Sequence, residues 1–155
     1  MSDRRQVLII LGSKSDEDMM KGCPAMLESF GIGYKQIISS AHRNPEKTSK
    51  LAAGAQAEGF KVIIAAAGMA AALPGVVASQ TALPVIGVPM PGSALSGVDA
   101  LYSIVQMPAG VPVACMAVGG HGAKNAAIFA ARIIALEDQA VARKLKQYYS
   151  ELAQD

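Results

Sequence analysis

The stretch Ser40-Ala41-His42-Arg43-Asn44 is the part of this chain best equipped for chemistry. His42 can move a proton near neutral pH. Arg43 can grip a phosphate with its planar fork of donors, and Ser40 adds a hydroxyl. The five residues follow the apolar Ile37-Ile38-Ser39 and precede Pro45-Glu46-Lys47. The latter reads as a helix start, with Asn44 as N-cap and Pro45 at the first helical position. The pair therefore stands at a strand end beside a helix N-terminus. Open α/β sheets place ligands there, where free backbone N–H groups can meet a phosphate. A solvated surface turn could carry the same five residues, so further groups are needed to make a site.

Gly12-Ser13-Lys14-Ser15-Asp16 supplies candidates. Ser13, Ser15 and the backbone N–H groups suit a phosphate. Asp16 could hold sugar hydroxyls, as acidic residues do in nucleotide sites. Plain helix capping by Ser15 or Asp16 is the competing reading. The loop has neither the Walker nor the G-x-G-x-x-G pattern. A third loop, Ala67-Gly68-Met69-Ala70-Ala71-Ala72, carries no acid–base side chain. It offers either close backbone approach to a flat ligand or tight helix–sheet packing. Gly119-Gly120-His121-Gly122 places a second histidine in a glycine-rich loop, as a further ligand group or as an exposed loop residue. Cys23 and Cys115 lie far apart in apolar surroundings and read as buried free thiols. Without a local ligand cluster, no metal site is expected.

Five apolar runs must position these loops. Val7 to Leu11, Tyr34 to Ser39, Val62 to Ala66, Pro84 to Pro89 and Pro112 to Val118 read as strands, the first a continuous apolar run typical of a strand covered on both faces. Helices are expected from Ser15 or Asp16 to Gly31 with a bend at Gly22-Cys23-Pro24, from Pro45 to about Glu58, after Leu73-Pro74-Gly75, from Ala94 to Val105, from Asn125 to Leu136, and from Asp138 to about Leu152. Strands alternating with helices predict an α/β fold: a parallel five-stranded sheet between two helical layers, in flavodoxin-like order. Every unusual loop then falls at one sheet edge, together with Pro91-Gly92-Ser93. That convergence weighs more than any loop alone. The Tyr148-Tyr149 helix extends past the last strand and is free to pack on a neighbouring subunit or on its own chain.

The totals set limits. A chain of 155 residues suggests one domain, spanning 1–155, with a core that needs no staples. It is 52% hydrophobic and only 17% charged, which points to elements buried on most sides and to subunit contacts. A net charge of +2, with no basic stripe and few aromatics, argues against nucleic acid. No apolar run reaches the roughly 18 residues of a membrane span. Met1 to Gln6 leads into the first strand without the pattern of a signal peptide, so the cytoplasm is expected. From the residues alone, the site is one for a phosphorylated, ribosyl small molecule, with His42 as its acid–base group.

Longer motifs add a resemblance. Gly12-Ser13-Lys14-Ser15-Asp16, Ser40 to Pro45, Leu73-Pro74-Gly75, Leu83 to Pro89, Ser103 to Pro108 and Gly122 to Ala127 occur in one order in one family. Over nearly its full length the chain resembles the N5-carboxyaminoimidazole ribonucleotide mutases of purine biosynthesis. The resemblance implies a homo-octamer without metal or organic cofactor. It implies transfer of a carboxyl group from the exocyclic nitrogen to C4 of aminoimidazole ribonucleotide, through carbon dioxide held in the site. His42 then carries the proton. Ser13, Ser40 and Arg43 match phosphate-binding positions and Asp16 the ribose-binding acid. Ser15, Ala41, Gly68, Met69, Ala71 and Leu73 complete the expected substrate contacts.

The third loop departs from that pattern. Where the mutases usually read Ala-Gly-Ala-Gly-Gly-Ala-Ala-His-Leu-Pro-Gly, this chain has Ala65 to Gly75 with Met69 for a glycine and Ala72 for a histidine. Ala100 stands where a serine is common. The related carboxylases, which use free carbon dioxide, also lack that histidine, but they carry Arg-Ser-Asn where this chain has Met69-Ala70-Ala71. Three readings follow: a mutase with an altered loop, a carboxylase or an enzyme of a related ribonucleotide, and a non-catalytic ribotide-binding paralogue. The retained His42 speaks against the third, which has no need of a proton carrier.

Overall fold

The computed structural model describes residues 5–154; the reading of Met1 to Arg4 as a lead-in lies outside them. The strands are β1 (Arg5–Leu11), β2 (Gly33–Ile38), β3 (Val62–Gly68), β4 (Val85–Met90) and β5 (Ala114–Cys115). The helices are α1 (Glu17–Met20), α2 (Gly22–Ser29), α3 (Pro45–Gly54), α4 (Leu73–Ala78), α5 (Val98–Val105), α6 (Gly120–Ala135) and α7 (Gln139–Leu152). All neighbouring strands pair in parallel, in the order β2-β1-β3-β4-β5. This is the flavodoxin-like order expected above.

Strand parity sorts the apolar residues into two cores. Val7, Ile9, Leu11, Val62, Ile64, Ile86 and Val88 face Cys23, Leu27, Phe30 and the alanines of α6, with α7 packed outside. Leu8, Ile10, Ile63, Ala65 and Val85 face Ala52 of α3, Leu73 and Val77 of α4, and Ala100 and Ile104 of α5. Residues of the central strands alternate between these layers, so the runs read as continuously apolar.

Several boundaries differ from expectation for local reasons. The first helix breaks at Lys21, and Pro24 is the third residue of α2, where a backbone N–H has no helical partner to lose. The α3 helix stops at Gly54, short of Glu58, and turns carry the chain to Gly59 at φ +91°. The α5 helix starts at Val98 instead of Ala94, because Ser96 and Gly97 adopt positive φ.

The fifth strand is far shorter than Pro112 to Val118. The Pro89 carbonyl accepts from Gly119 N–H at 2.8 Å, so its nitrogen faces the same neighbour and has no hydrogen to donate. The β4–β5 ladder ends two residues earlier, at Gly87 and Cys115. The expected glycine loop is instead the first turn of α6, which starts at Gly120 and not Asn125. A Cβ on Gly122 would collide with the Ala117 carbonyl. That glycine therefore serves close packing.

Candidate active site

Three strands end at one cleft. At the end of β1, Gly12 N–H donates to Ala66 O at 2.9 Å, and Ser39 N–H beyond β2 donates to Leu11 O at 2.9 Å. These two bonds continue the sheet and bring the first two loops alongside β3. The cleft they bound, of about 380 Å³, is lined by Ser13, Ser15 and Asp16 from the first loop. Ser40, Ala41, His42 and Arg43 line it from the second, and Gly68, Met69, Ala71 and Leu73 from the third. His42 and all the expected substrate contacts thus border one space. His121 does not; it is exposed on the first turn of α6.

The first loop is a single 3₁₀ turn, Lys14–Asp16, capped by Ser13. Ser15 donates to Ser13 Oγ both from its N–H, at 3.3 Å, and from its hydroxyl, at 2.9 Å. Ser13 Oγ is occupied as an acceptor, which leaves its own proton to donate outward. Ser40 is arranged alike: its Oγ accepts from Arg43 N–H at 3.2 Å. Two hydroxyl donors on one cleft suit an anion whose oxygens only accept.

Asp16 is buried against this turn. Desolvation raises its carboxyl above the ordinary value of 3.8, partly offset by a hydrogen bond with the Ser13 backbone. A buried acid beside hydroxyl donors fits a sugar diol, which would supply the hydrogen bonds that water no longer can. His42 and Arg43 are exposed, and neither forms an ion pair among the described residues. Asn44 caps α3 as expected, accepting from Lys47 N–H at 3.2 Å.

The third loop bends sharply after β3. Met69 has φ +55°, and its side chain is 64% exposed. The N–H groups of Ala71 and Ala72 turn back to Met69 O and Ala70 O at 2.9 and 2.7 Å. No three His, Cys, Asp or Glu side chains gather as a metal site among the described residues.

A family model described as AIR carboxylase matches residues 6–155. The chain belongs to the AIR carboxylase family. Its relatives include proteins named N5-carboxyaminoimidazole ribonucleotide mutase. The one from Brucella melitensis is 54% identical over 92% of this chain and 88% of its own length. That from Saccharolobus solfataricus is 49% identical over 97% and 94%. Among solved structures, PurE of Treponema denticola superposes with a TM-score of 0.87 at 34% identity, over 97% of this chain and 93% of that one.

Gly12, Ala67, Ala70, Ala72 and Gly92 also line the cleft of this family member and were not among the site candidates. They have no reactive group, so residue type gave no signal. Their one signal was position, since each belongs to a loop already noted at a strand end: Gly12 in the first, Ala67, Ala70 and Ala72 in the third, and Gly92 in the turn after β4. Ala72, half-buried, is the position where the resemblance places a histidine.

Proposed function

We propose that this chain converts N5-carboxyaminoimidazole ribonucleotide to 4-carboxy-5-aminoimidazole ribonucleotide in de novo purine biosynthesis. The reaction is an intramolecular carboxyl transfer. The N–carboxylate bond breaks to carbon dioxide, and the nitrogen takes a proton from His42. C4 then attacks the carbon dioxide and returns its proton to His42, so the histidine ends as it began. Ser13, Ser40 and Arg43 hold the phosphate, and Asp16 holds the ribose. The backbone at Gly68, Met69 and Ala71 lies against the imidazole. The single observation that carries this reading is the meeting of His42, Arg43, Ser13, Ser40 and Asp16 on one cleft.

Residues 1–155 are read as one domain, since both cores share one sheet. A subunit contact is supported by the exposed apolar stripe Leu95, Val98, Tyr102 and Val105, whose spacing leaves one side of α5 and its approach uncovered; the homo-octamer is the assembly that the resemblance implies. No helix of the described residues is long and apolar enough to cross a membrane. A cytoplasmic setting accords with the free thiol of Cys23.

The test is turnover of purified protein on N5-carboxyaminoimidazole ribonucleotide and, separately, on aminoimidazole ribonucleotide with bicarbonate, alongside light scattering for mass. Turnover of the first without added bicarbonate is expected. The alanine at position 72 favours one second reading, a carboxylase of aminoimidazole ribonucleotide; turnover only with bicarbonate would establish it. A folded protein that binds ribotide and turns over neither would be a non-catalytic paralogue.

A further inference from the structure

One buried polar pair lies outside the cleft but joins both ends of the loop that carries His42 and Arg43. Ser39, just past β2, is 3% exposed, and Thr48, on the first turns of α3, is 0% exposed. Their hydroxyl oxygens are 2.8 Å apart. Thr48 Oγ1 also lies 3.2 Å from the Asn44 carbonyl; when it donates there, Ser39 is the donor to Thr48. Ser39 N–H is itself fixed to Leu11 O of β1 at 2.9 Å. A hydrogen-bonded chain thus runs from β1 through Ser39 and Thr48 to Asn44. The segment Ser40–Asn44 is the arc it closes, with Asn44 N–H on Ser40 O at 2.8 Å inside it.

Packing alone does not call for two hydroxyls there. Val and Ala would fill the same space without any polar group to satisfy, and burial of hydroxyls is unfavourable unless they are paired. What the hydroxyls add is direction: each bond fixes an angle and a register, which apolar contact does not. We infer that Thr48, held by Ser39, is a positioning residue that sets the loop bearing His42 and Arg43 against the cleft. It touches no substrate and acts through the Asn44 backbone. This inference rests on the mutase reading for the identity of the substrate, but not for the geometry of the arc.

The test uses the full chain in four forms: the parent, Thr48→Val, Thr48→Ser, and the double variant Ser39→Ala/Thr48→Val. Thr48→Val keeps the shape and strands the Ser39 hydroxyl. The double variant removes both polar partners, a change that is often nearly neutral for stability. Melting temperature, kcat, KM, affinity for ribose 5-phosphate and amide exchange over residues 40–44 are measured on each. We expect Thr48→Val to lose about tenfold or more in kcat/KM, in line with small misplacements of catalytic groups. Thr48→Ser should recover most of that loss. The double variant should melt close to the parent yet remain as impaired as Thr48→Val, with weaker ribose 5-phosphate binding and faster exchange confined to residues 40–44. A double variant with parent-like turnover, sugar phosphate affinity and exchange would overturn the inference, since stability would then be the pair's whole role. Should the parent lack turnover, the mutase reading fails by itself, and the affinity and exchange data still decide the role of Thr48.

Discussion

Replacing Met69 with glycine tests whether the third loop has been read correctly. At φ +55° a residue with a Cβ is held about 1–2 kcal/mol above glycine. Glycine gives back about 0.5–1 kcal/mol through its freer unfolded chain. Full burial of a methionine stabilises by about 1.5–3 kcal/mol, and this one is 64% exposed, so its loss costs roughly 0.5–1 kcal/mol. These terms cancel to within about 1 kcal/mol. For a chain of 155 residues that is a shift of about 3 °C at most in melting temperature. The side chain leaves the cleft while the backbone N–H and C=O remain. Met69→Gly should therefore turn over at least as fast as the parent, with an equal or lower KM. Differential scanning calorimetry and steady-state kinetics on the same preparation measure both. A drop of more than about 6 °C would refute the strain accounting. A tenfold loss of kcat/KM at unchanged melting temperature would show that the thioether itself contacts substrate, contrary to the backbone-contact reading.

Three other outcomes are expected. His42→Asn should fold and bind ribose 5-phosphate like the parent, but lose about 10²–10⁴-fold or more in turnover, the usual size of an acid–base contribution; near-parent rates would remove His42 from the mechanism. Burial raises the Asp16 carboxyl, so the folded state binds its proton more tightly than the unfolded one. The resulting destabilisation is absent below the ordinary value of 3.8, grows as pH rises through the folded value, and is complete at neutral pH. Asp16→Asn should then raise the melting temperature at pH 7, with the gain fading towards pH 3, while ribose 5-phosphate binding weakens; a lower melting temperature at pH 7 contradicts this. Gly122→Ala forces the first turn of α6 off the Ala117 carbonyl. Thermal melts should show a loss of about 3 kcal/mol or more, near 10 °C, and an unchanged melt would mean that the contact is not tight.

Much of this molecule was legible because its signals are local. Val7 to Leu11 and Val62 to Ala66 could only be doubly covered strands, since no alternation leaves a face for water. Asn44-Pro45 announced a helix start, and the structure has Asn44 accepting from Lys47 N–H. The candidate site was legible for a related reason. In a parallel sheet all strand ends of one sense lie on one edge, so Ser13, Ser40, His42 and Gly68 had to come close once their strands were recognised.

The remainder depended on neighbours that no local pattern contains. Pro89 stops β5 because its nitrogen happens to face that strand, and which side it faces is decided by the sheet's strand order. Gly122 looked like loop flexibility until the Ala117 carbonyl came against it. Thr48 looked like an ordinary helix residue; only the fold buries it and brings Ser39 within hydrogen-bonding distance. The sequence by itself determined which elements form and which loops share an edge, because hydrophobic period and turn chemistry act over a few residues. Tertiary structure alone decided where strands end, which glycines permit contact and which hydroxyls pair. Those depend on distances between segments that are remote along the chain.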